Sequence, residues 1–492
     1  MARPPPYNLG DQTSFGYTTV TRRWPVILTT VIDVLYSTNH NIALANEGKG
    51  DGNVALDEGK AMIERISRLK YRMGRVNDLE PIERDGEPLV DEYNVELARL
   101  KEEGAGTWFS APWLFAEYRL LRTHFASASS PSWRTFDPFG VQKRDAWRGS
   151  GRAVREIATT MHILSRELGD ASQREERAKD DEGEKLHNDE KLRVLFKQML
   201  QMCLWCDLSL LTHLTAADIR ALQAADERRE AFILRNDEAQ VWAHLVKGNG
   251  KGRVDIVLDN GLFTDLVFAD FLVTYTPYVG RVVFHPKLIP WFVSDVTPPD
   301  FRAIFEELSD PAFFPADDVT DGIEGKPDSN AHLQEMVARW KRHLADGTFA
   351  LSVPLDTPLG GTRSQSTAGG EATPAYSRAD ATPEEQAQFW TSPWPYWDME
   401  TRAPALWASL RESSLVVFKW LTGDVQWPAY TPFATALGPL AGSFPLLSLR
   451  TNKADVVVGV DKDVAERLER EEGQKWRVDG RYALITFEDA AR

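Results

Sequence analysis

The stretch Val254-Asp255-Ile256-Val257-Leu258 constrains the fold most, because an apolar run rich in β-branched residues ends abruptly at Asp259-Asn260-Gly261. A run this short, bounded by turn residues, reads as a buried strand rather than a helix. Similar runs follow after Gln240: Arg281 to Phe284, Ile289 to Val293, Ser414 to Phe418, Asp455 to Val460 and Tyr482 to Phe487. Helical segments such as Phe263 to Tyr275 and Asp300 to Leu308 separate them. Short apolar strands alternating with helices predict a largely parallel sheet covered on both faces. The fold class is therefore α/β, with a three-layer α/β/α core.

The chain before this region has a different period. Apolar residues recur at helical spacing over Pro25 to Leu35, Ala61 to Tyr71, Asn94 to Lys101, Trp113 to Phe125, Arg152 to Leu168 and Lys191 to Leu211. At 492 residues the chain exceeds the ~250–300 at which single cores stop growing, so more than one core is expected. The division expected is a mainly helical domain over 1–240 and an α/β metal-binding core over 241–492. The run from Arg166 to Lys191, dense in both charge signs, reads as a solvated helix or loop. A Gly/Ser/Thr/Pro-rich stretch near 354–385 reads as a mobile insertion, too poor in apolar residues to offset its ordering entropy.

With 57 Lys and Arg against 73 Asp and Glu, the net charge of −16 opposes a nucleic-acid backbone or an anionic membrane as main partner. No apolar run approaches the ~18 residues of a membrane span, and the N-terminal Met-Ala-Arg-Pro-Pro-Pro lacks a signal-peptide core. A cytoplasmic protein is expected. Cys203 and Cys206 are the only cysteines, and one Cys-x-x-Cys without a second pair reads as ordinary buried thiols rather than a zinc site. Gly248-Asn249-Gly250-Lys251-Gly252 precedes its strand, whereas a dinucleotide loop must follow one.

In open α/β sheets, ligands bind beyond the carboxyl ends of the strands. Asp259 and Asn260 stand at such an end, although Asn-Gly is also a common turn dipeptide. Asp295 follows the apolar run Leu288 to Val293 and reads as a second acidic strand end. Two carboxylates and a carboxamide supply oxygen ligands only, which suits a hard divalent cation and leaves the site near neutrality for an incoming phosphate. Arg450 and Lys453, in a loop expected just before the strand Val456 to Gly459, are candidate phosphate clamps. A solvated loop with two surface cations is the plainer reading of that segment.

Several segments together resemble the metal-dependent damage-control phosphatases. They are Asp259-Asn260-Gly261 with Phe263-Thr264-Asp265-Leu266, His285-Pro286-Lys287 through Ser294-Asp295, and Arg450-Thr451-Asn452-Lys453. The last is similar to the Arg-Thr-x-Lys motif of a subgroup also assigned as acidic residue methyltransferases. Echoes at Ser14-Phe15, Arg23-Trp24-Pro25, Thr107 to Leu114 and Asp137-Pro138-Phe139 extend the resemblance over nearly the whole chain. It implies a helical N-terminal domain on a Rossmann-like core, with metal on Asp259, Asn260 and Asp295. It further implies hydrolysis of sugar phosphates such as fructose 1-phosphate and fructose 6-phosphate, supported by Mn²⁺, Co²⁺ or Ni²⁺, with Mg²⁺ also suited to the oxygen set. Lys419 occupies the position of a substrate-contacting Lys.

Four motifs are shorter than the family pattern. The Glu of Asp-Asn-x-Gly-x-Glu is absent after Asn260, and Lys419 runs straight into Trp420-Leu421-Thr422-Gly423-Asp424 in place of Lys-Gly-Asp-Leu-Asn-Tyr-Arg. Trp205-Cys206-Asp207 lacks a Gly-Asn, and Glu117-Tyr118-Arg119 is a contracted Glu-Cys-Tyr-x-Tyr-Arg. Surface loops tolerate deletion better than packed segments do, so shortening confined to motifs has two readings: a paralogue with a trimmed pocket, or a chain lacking short segments. The functions expected are a metal-dependent phosphatase acting on small phosphorylated sugars, an impaired paralogue that binds metal or sugar phosphate without turnover, or an S-adenosylmethionine-dependent protein-glutamate methyltransferase. For the last, no S-adenosylmethionine loop follows the first core strand.

Overall fold

The computed structural model describes residues 9–45, 54–75, 78–83, 89–122, 131–175, 182–205, 230–248, 250–314, 329–361, 374–419 and 440–490. Among them, seven strands form one sheet: β1 (Ile233–Asn236), β2 (Gly252–Val257), β3 (Val279–His285), β4 (Phe349–Leu351), β5 (Leu415–Lys419), β6 (Leu446–Thr451) and β7 (Ala483–Glu488). Their spatial order is β1-β7-β6-β5-β2-β3-β4. Strands β2 to β6 run parallel, whereas β7 is antiparallel to β6 and carries β1 alongside it. The expected α/β fold, with helices leading into a mostly parallel sheet, is what the chain adopts.

Burial on both faces explains the composition of the central strands. One face, with Val254, Ile256, Leu415, Val417, Leu447 and Leu449, packs on the helices Gly151–Glu175, Glu182–Trp205, Leu262–Tyr275 and Ser329–Ala345. The opposite face, with Val257, Val416, Phe418 and Leu446, packs on Tyr376, Phe389, Trp390, Leu406 and Leu410. The helices Trp24–Ala45, Val54–Met73, Val90–Glu102 and Trp113–Arg122 form a further buried cluster, which takes in Ile289 and Trp291 from the loop after β3.

Chain order runs β2, β3, β4 outward on one side and then crosses back to β5 and β6 on the other side of β2. The direction of winding therefore reverses between β2 and β5. Such a reversal opens a crevice at the carboxyl ends of the two strands, and Asp259-Asn260 and Lys419 stand at those ends.

Two expected strands are absent. Leu288 to Val293 forms consecutive turns, in which the Trp291 amide donates to the Ile289 carbonyl at 2.7 Å and the Val293 amide to the Pro290 carbonyl at 3.1 Å. Pro290 has no N–H to give a ladder, and Phe292 and Val293 take φ of 48° and 76°. The left-handed region is strained for a β-branched residue. The apolar character of this segment serves the N-terminal cluster, where Trp291 sits 6.0 Å from Tyr118. Asp455 to Val460 is likewise a loop, and its valines are apolar because Val456 and Val458 fill one cluster and Val457 another. The strand lies before it, so Arg450 stands inside β6 near its carboxyl end rather than in a loop.

The core of the Gly/Ser/Thr/Pro-rich stretch, residues 362–373, lies outside the described residues. Its C-terminal flank is packed: Tyr376 is buried, and Thr382 opens the turn Pro383–Ala387 with a reciprocal capping box to Glu385. Most of the charged run Arg166 to Lys191 is helical.

Candidate active site

Hydrogen bonds tie the end of β2 to the loop after β3. The Leu258 amide donates to the His285 carbonyl at 2.9 Å, and the Val296 amide donates to the Asp259 carbonyl at 3.2 Å. Asp259 and Asp295 are thereby neighbours, both buried, although Asp295 comes from a turn and not a strand end. Gly261, with φ of 87°, turns the chain into the helix Leu262–Tyr275, and no other residue type takes that conformation as cheaply. The N-terminus of this helix, the positive end of its dipole, therefore opens at the crevice.

Two buried lysines bracket the Leu258–Asn260 segment. Lys287 Nζ donates to the Leu258 carbonyl at 2.7 Å and lies 3.4 Å from Asp295 Oδ2. From the β5 side, Lys419 Nζ donates to the Asn260 carbonyl at 3.0 Å and to Asp265 Oδ1 at 2.8 Å. Burial opposes the charge on Lys419, but Asp265, reinforced by Asp259, outweighs it and raises the ammonium pKa. Lys419, expected to meet substrate, thus has its ammonium taken up on the helical side of the sheet. The segment that follows it, Trp420 to Asp424, lies outside the described residues, as does Cys206 to Ser209.

Strand register extends the crevice. Phe418 pairs with Val257 on one side and Ser448 on the other, so Arg450 stands level with Asp259 two strands away, roughly 10 Å at ~4.8 Å per strand. Side chains alternate across a strand, which puts Arg450 on the same face as Leu446 and Ser448, opposite Leu447 and Leu449. The Arg450 side chain is buried, and its Nε and Nη1 find no hydrogen-bond partner among the described residues. Burial pulls its pKa down to about 9. Lys453, half-buried, runs past Gly480, where the chain takes a φ of 79°. Asp455 accepts the amides of Phe15 and Gly16 at 2.9 and 3.0 Å, fastening the loop after β6 to the N-terminal helical turn.

Among the described residues, no three His, Cys, Asp or Glu side chains converge into a metal cage. The candidate donors are two carboxylates and one carboxamide, an oxygen-only set that fits a hard divalent cation. The ionic surroundings fit too: buried Asp259, Asp265 and Asp295 against buried Lys287 and Lys419 leave one net negative charge around Asn260. Asp265 Oδ2 is buried with no hydrogen-bond partner among the described residues.

Asp259, Asn260 and Asp295 were legible as oxygen donors; Lys287 and Asp265 were not. The signals available were a Lys two residues beyond a strand and an Asp in the first turn of a largely apolar helix. No helix among the described residues is long and apolar enough to cross a membrane.

The family model of the damage-control phosphatase ARMT1-like domain matches residues 19–468. A damage-control phosphatase ARMT1 from Danio rerio is 29% identical over 513 residues, covering 99% of this chain and 98% of that protein. Its counterpart from Mus musculus is 30% identical over 511 residues, with 99% of each chain covered. The protein of that name from Homo sapiens is 28% identical over 505 residues, with 97% of each covered. With the family match running from the N-terminal helices through the loop after β6, the chain belongs to the ARMT1-like damage-control phosphatases.

Proposed function

We propose that this phosphatase is metal-dependent and hydrolyses small sugar phosphates, such as fructose 1-phosphate and fructose 6-phosphate, in the crevice between β2 and β5. The observation that carries this reading is Arg450, a buried guanidinium with Nε and Nη1 left open among the described residues. A charge buried without a partner is costly to the fold. The cost is recovered when an anion arrives, and the guanidinium fork matches two phosphate oxygens.

Asp259, Asn260 and Asp295 would hold the divalent cation, Mn²⁺ first, with Co²⁺, Ni²⁺ or Mg²⁺ as alternatives. Bound there, the cation would supply polarisation of a phosphoryl oxygen and a lowered pKa for water. Lys287 pins the Leu258 carbonyl and Asp295, so the donor oxygens are oriented before substrate binds. Arg450 offsets negative charge on the phosphoryl oxygens, and Lys453 adds a point charge at the mouth. Water attacks phosphorus in line with the sugar oxygen; the phosphorus–oxygen bond to the sugar breaks, and that oxygen leaves carrying a proton. No Asp stands in an evident nucleophile motif, which favours direct attack over a phosphoaspartyl intermediate.

Phosphate release from a panel of sugar phosphates with each metal, against a chelator control, tests this. Metal-dependent release from the fructose phosphates is expected. Silence across the panel, with metal binding intact, contradicts turnover and leaves a binding protein.

A further inference from the structure

The helix Leu262–Tyr275 is buried over its whole first eleven residues, which include two acids: Asp270, paired with Arg339, and Asp265 in the first turn. Asp265 is fully buried. Its Oδ1 accepts hydrogen bonds from Lys419 Nζ at 2.8 Å and from the Cys203 thiol at 3.1 Å, while Oδ2 has no hydrogen-bond partner among the described residues. As a purely structural device this pairing is poor. A buried ion pair with one carboxylate oxygen unsatisfied is commonly matched or bettered by apolar residues of similar volume.

What the pair achieves is at its far side. The ammonium that Asp265 holds also donates to the Asn260 carbonyl at 3.0 Å. Lys287 makes the corresponding pair of contacts from β3, with the Leu258 carbonyl and Asp295. The residues before and after Asp259 are therefore each held by one buried ammonium, and each ammonium is held by one buried carboxylate. Among the described residues, the Asn260 carbonyl has no hydrogen-bond partner besides Lys419.

We propose that Asp265 is a positioning residue of the metal site: it holds Lys419 so that the ammonium fixes the Asn260 backbone and, with it, the direction of the carboxamide oxygen. This rests on the reading of Asp259, Asn260 and Asp295 as metal ligands. Partners that orient ligands in this way are typically worth roughly 10- to 100-fold in metal affinity.

The test is Mn²⁺ affinity, read on the full-length chain from the paramagnetic resonance signal of free Mn²⁺, for wild type, Asp265→Asn, Lys419→Met and the double variant. Each single variant is expected to bind Mn²⁺ roughly 10- to 100-fold more weakly. The double variant should be no weaker than the singles, because both act through one contact. Excess Mn²⁺ should restore phosphate release, and metal-free melting temperatures near the wild-type value should show that the fold itself is not what was rescued. Lys419→Met decides the matter should Asp265→Asn fail to fold, since the carboxyl it leaves behind can take up a proton. Wild-type affinity in Lys419→Met, or losses that multiply in the double variant, overturns the positioning role alone. Absence of Mn²⁺ binding by wild type overturns the ligand assignment and this inference together.

Discussion

At Arg450 the proposed anion-binding role can be told apart from a structural one. Nothing among the described residues neutralises it, so its removal costs the fold little, and Arg450→Met is expected to melt at or above the wild-type temperature. Its loss should instead appear in substrate binding. A charge-assisted hydrogen bond is worth about 1.5–3 kcal/mol, which raises the KM for a sugar phosphate roughly 10- to 100-fold. A lowered melting temperature with unchanged KM would make Arg450 a structural residue. At this scale the sequence is informative about chemistry and silent about burial. Asp259, Asn260 and Asp295 stand out because oxygen donors interrupt apolar runs. Asp265 and Lys287 do not, because each becomes notable only when its charge is found buried against a particular partner.

Among the elements, the N-terminal helices enclose a group whose charge depends on pH. Glu117, on the helix Trp113–Arg122, is buried and accepts from the Trp113 indole at 3.3 Å. Burial pushes its pKa up to about 7, only partly countered by Arg23, in the π-helical turn Thr19–Arg23, and by the indoles of Trp113 and Trp24. Its folded pKa thus lies above the ordinary 4.5. The folded state then holds the proton more tightly than the unfolded one, and stability present below about pH 4.5 is lost as pH rises toward 7. Glu117→Gln, which keeps a neutral side chain there, is expected to melt higher than wild type at pH 8, with the difference shrinking at pH 5. Equal melting temperatures at both pH values would show that the buried carboxylate carries no such penalty. The same scale is where strand assignment from sequence fails. Leu446 to Leu449 and the turns at Ile289 to Val293 are equally apolar, but the first pairs in the sheet and the second feeds Trp291 to a helical cluster. Apolar content records burial, and burial does not distinguish a ladder from a packed loop.

At the scale of the molecule, topology decides where chemistry can occur. The reversal of winding between β2 and β5 brings Asp259-Asn260, Lys419 and Arg450 to one rim from positions up to 191 residues apart in sequence. The N-terminal helices reach that rim twice, through Trp291 in the loop carrying Asp295 and through Asp455 on the Phe15 and Gly16 amides. The α/β class and the helical lead were legible in hydrophobic period, whereas the order of strands was not, because period records which residues are buried and not which strands are neighbours. Two of the four shortened motifs fall at Asn260 and Lys419, on the rim itself, and leave Asp259, Asn260 and Asp295 in place. The most direct measurement is therefore Mn²⁺-dependent phosphate release from fructose 1-phosphate by wild type and by Asp259→Ala, with melting temperatures taken alongside. Metal-dependent release by wild type that disappears in a folded Asp259→Ala is the predicted result; wild-type turnover in that variant would contradict the assigned site.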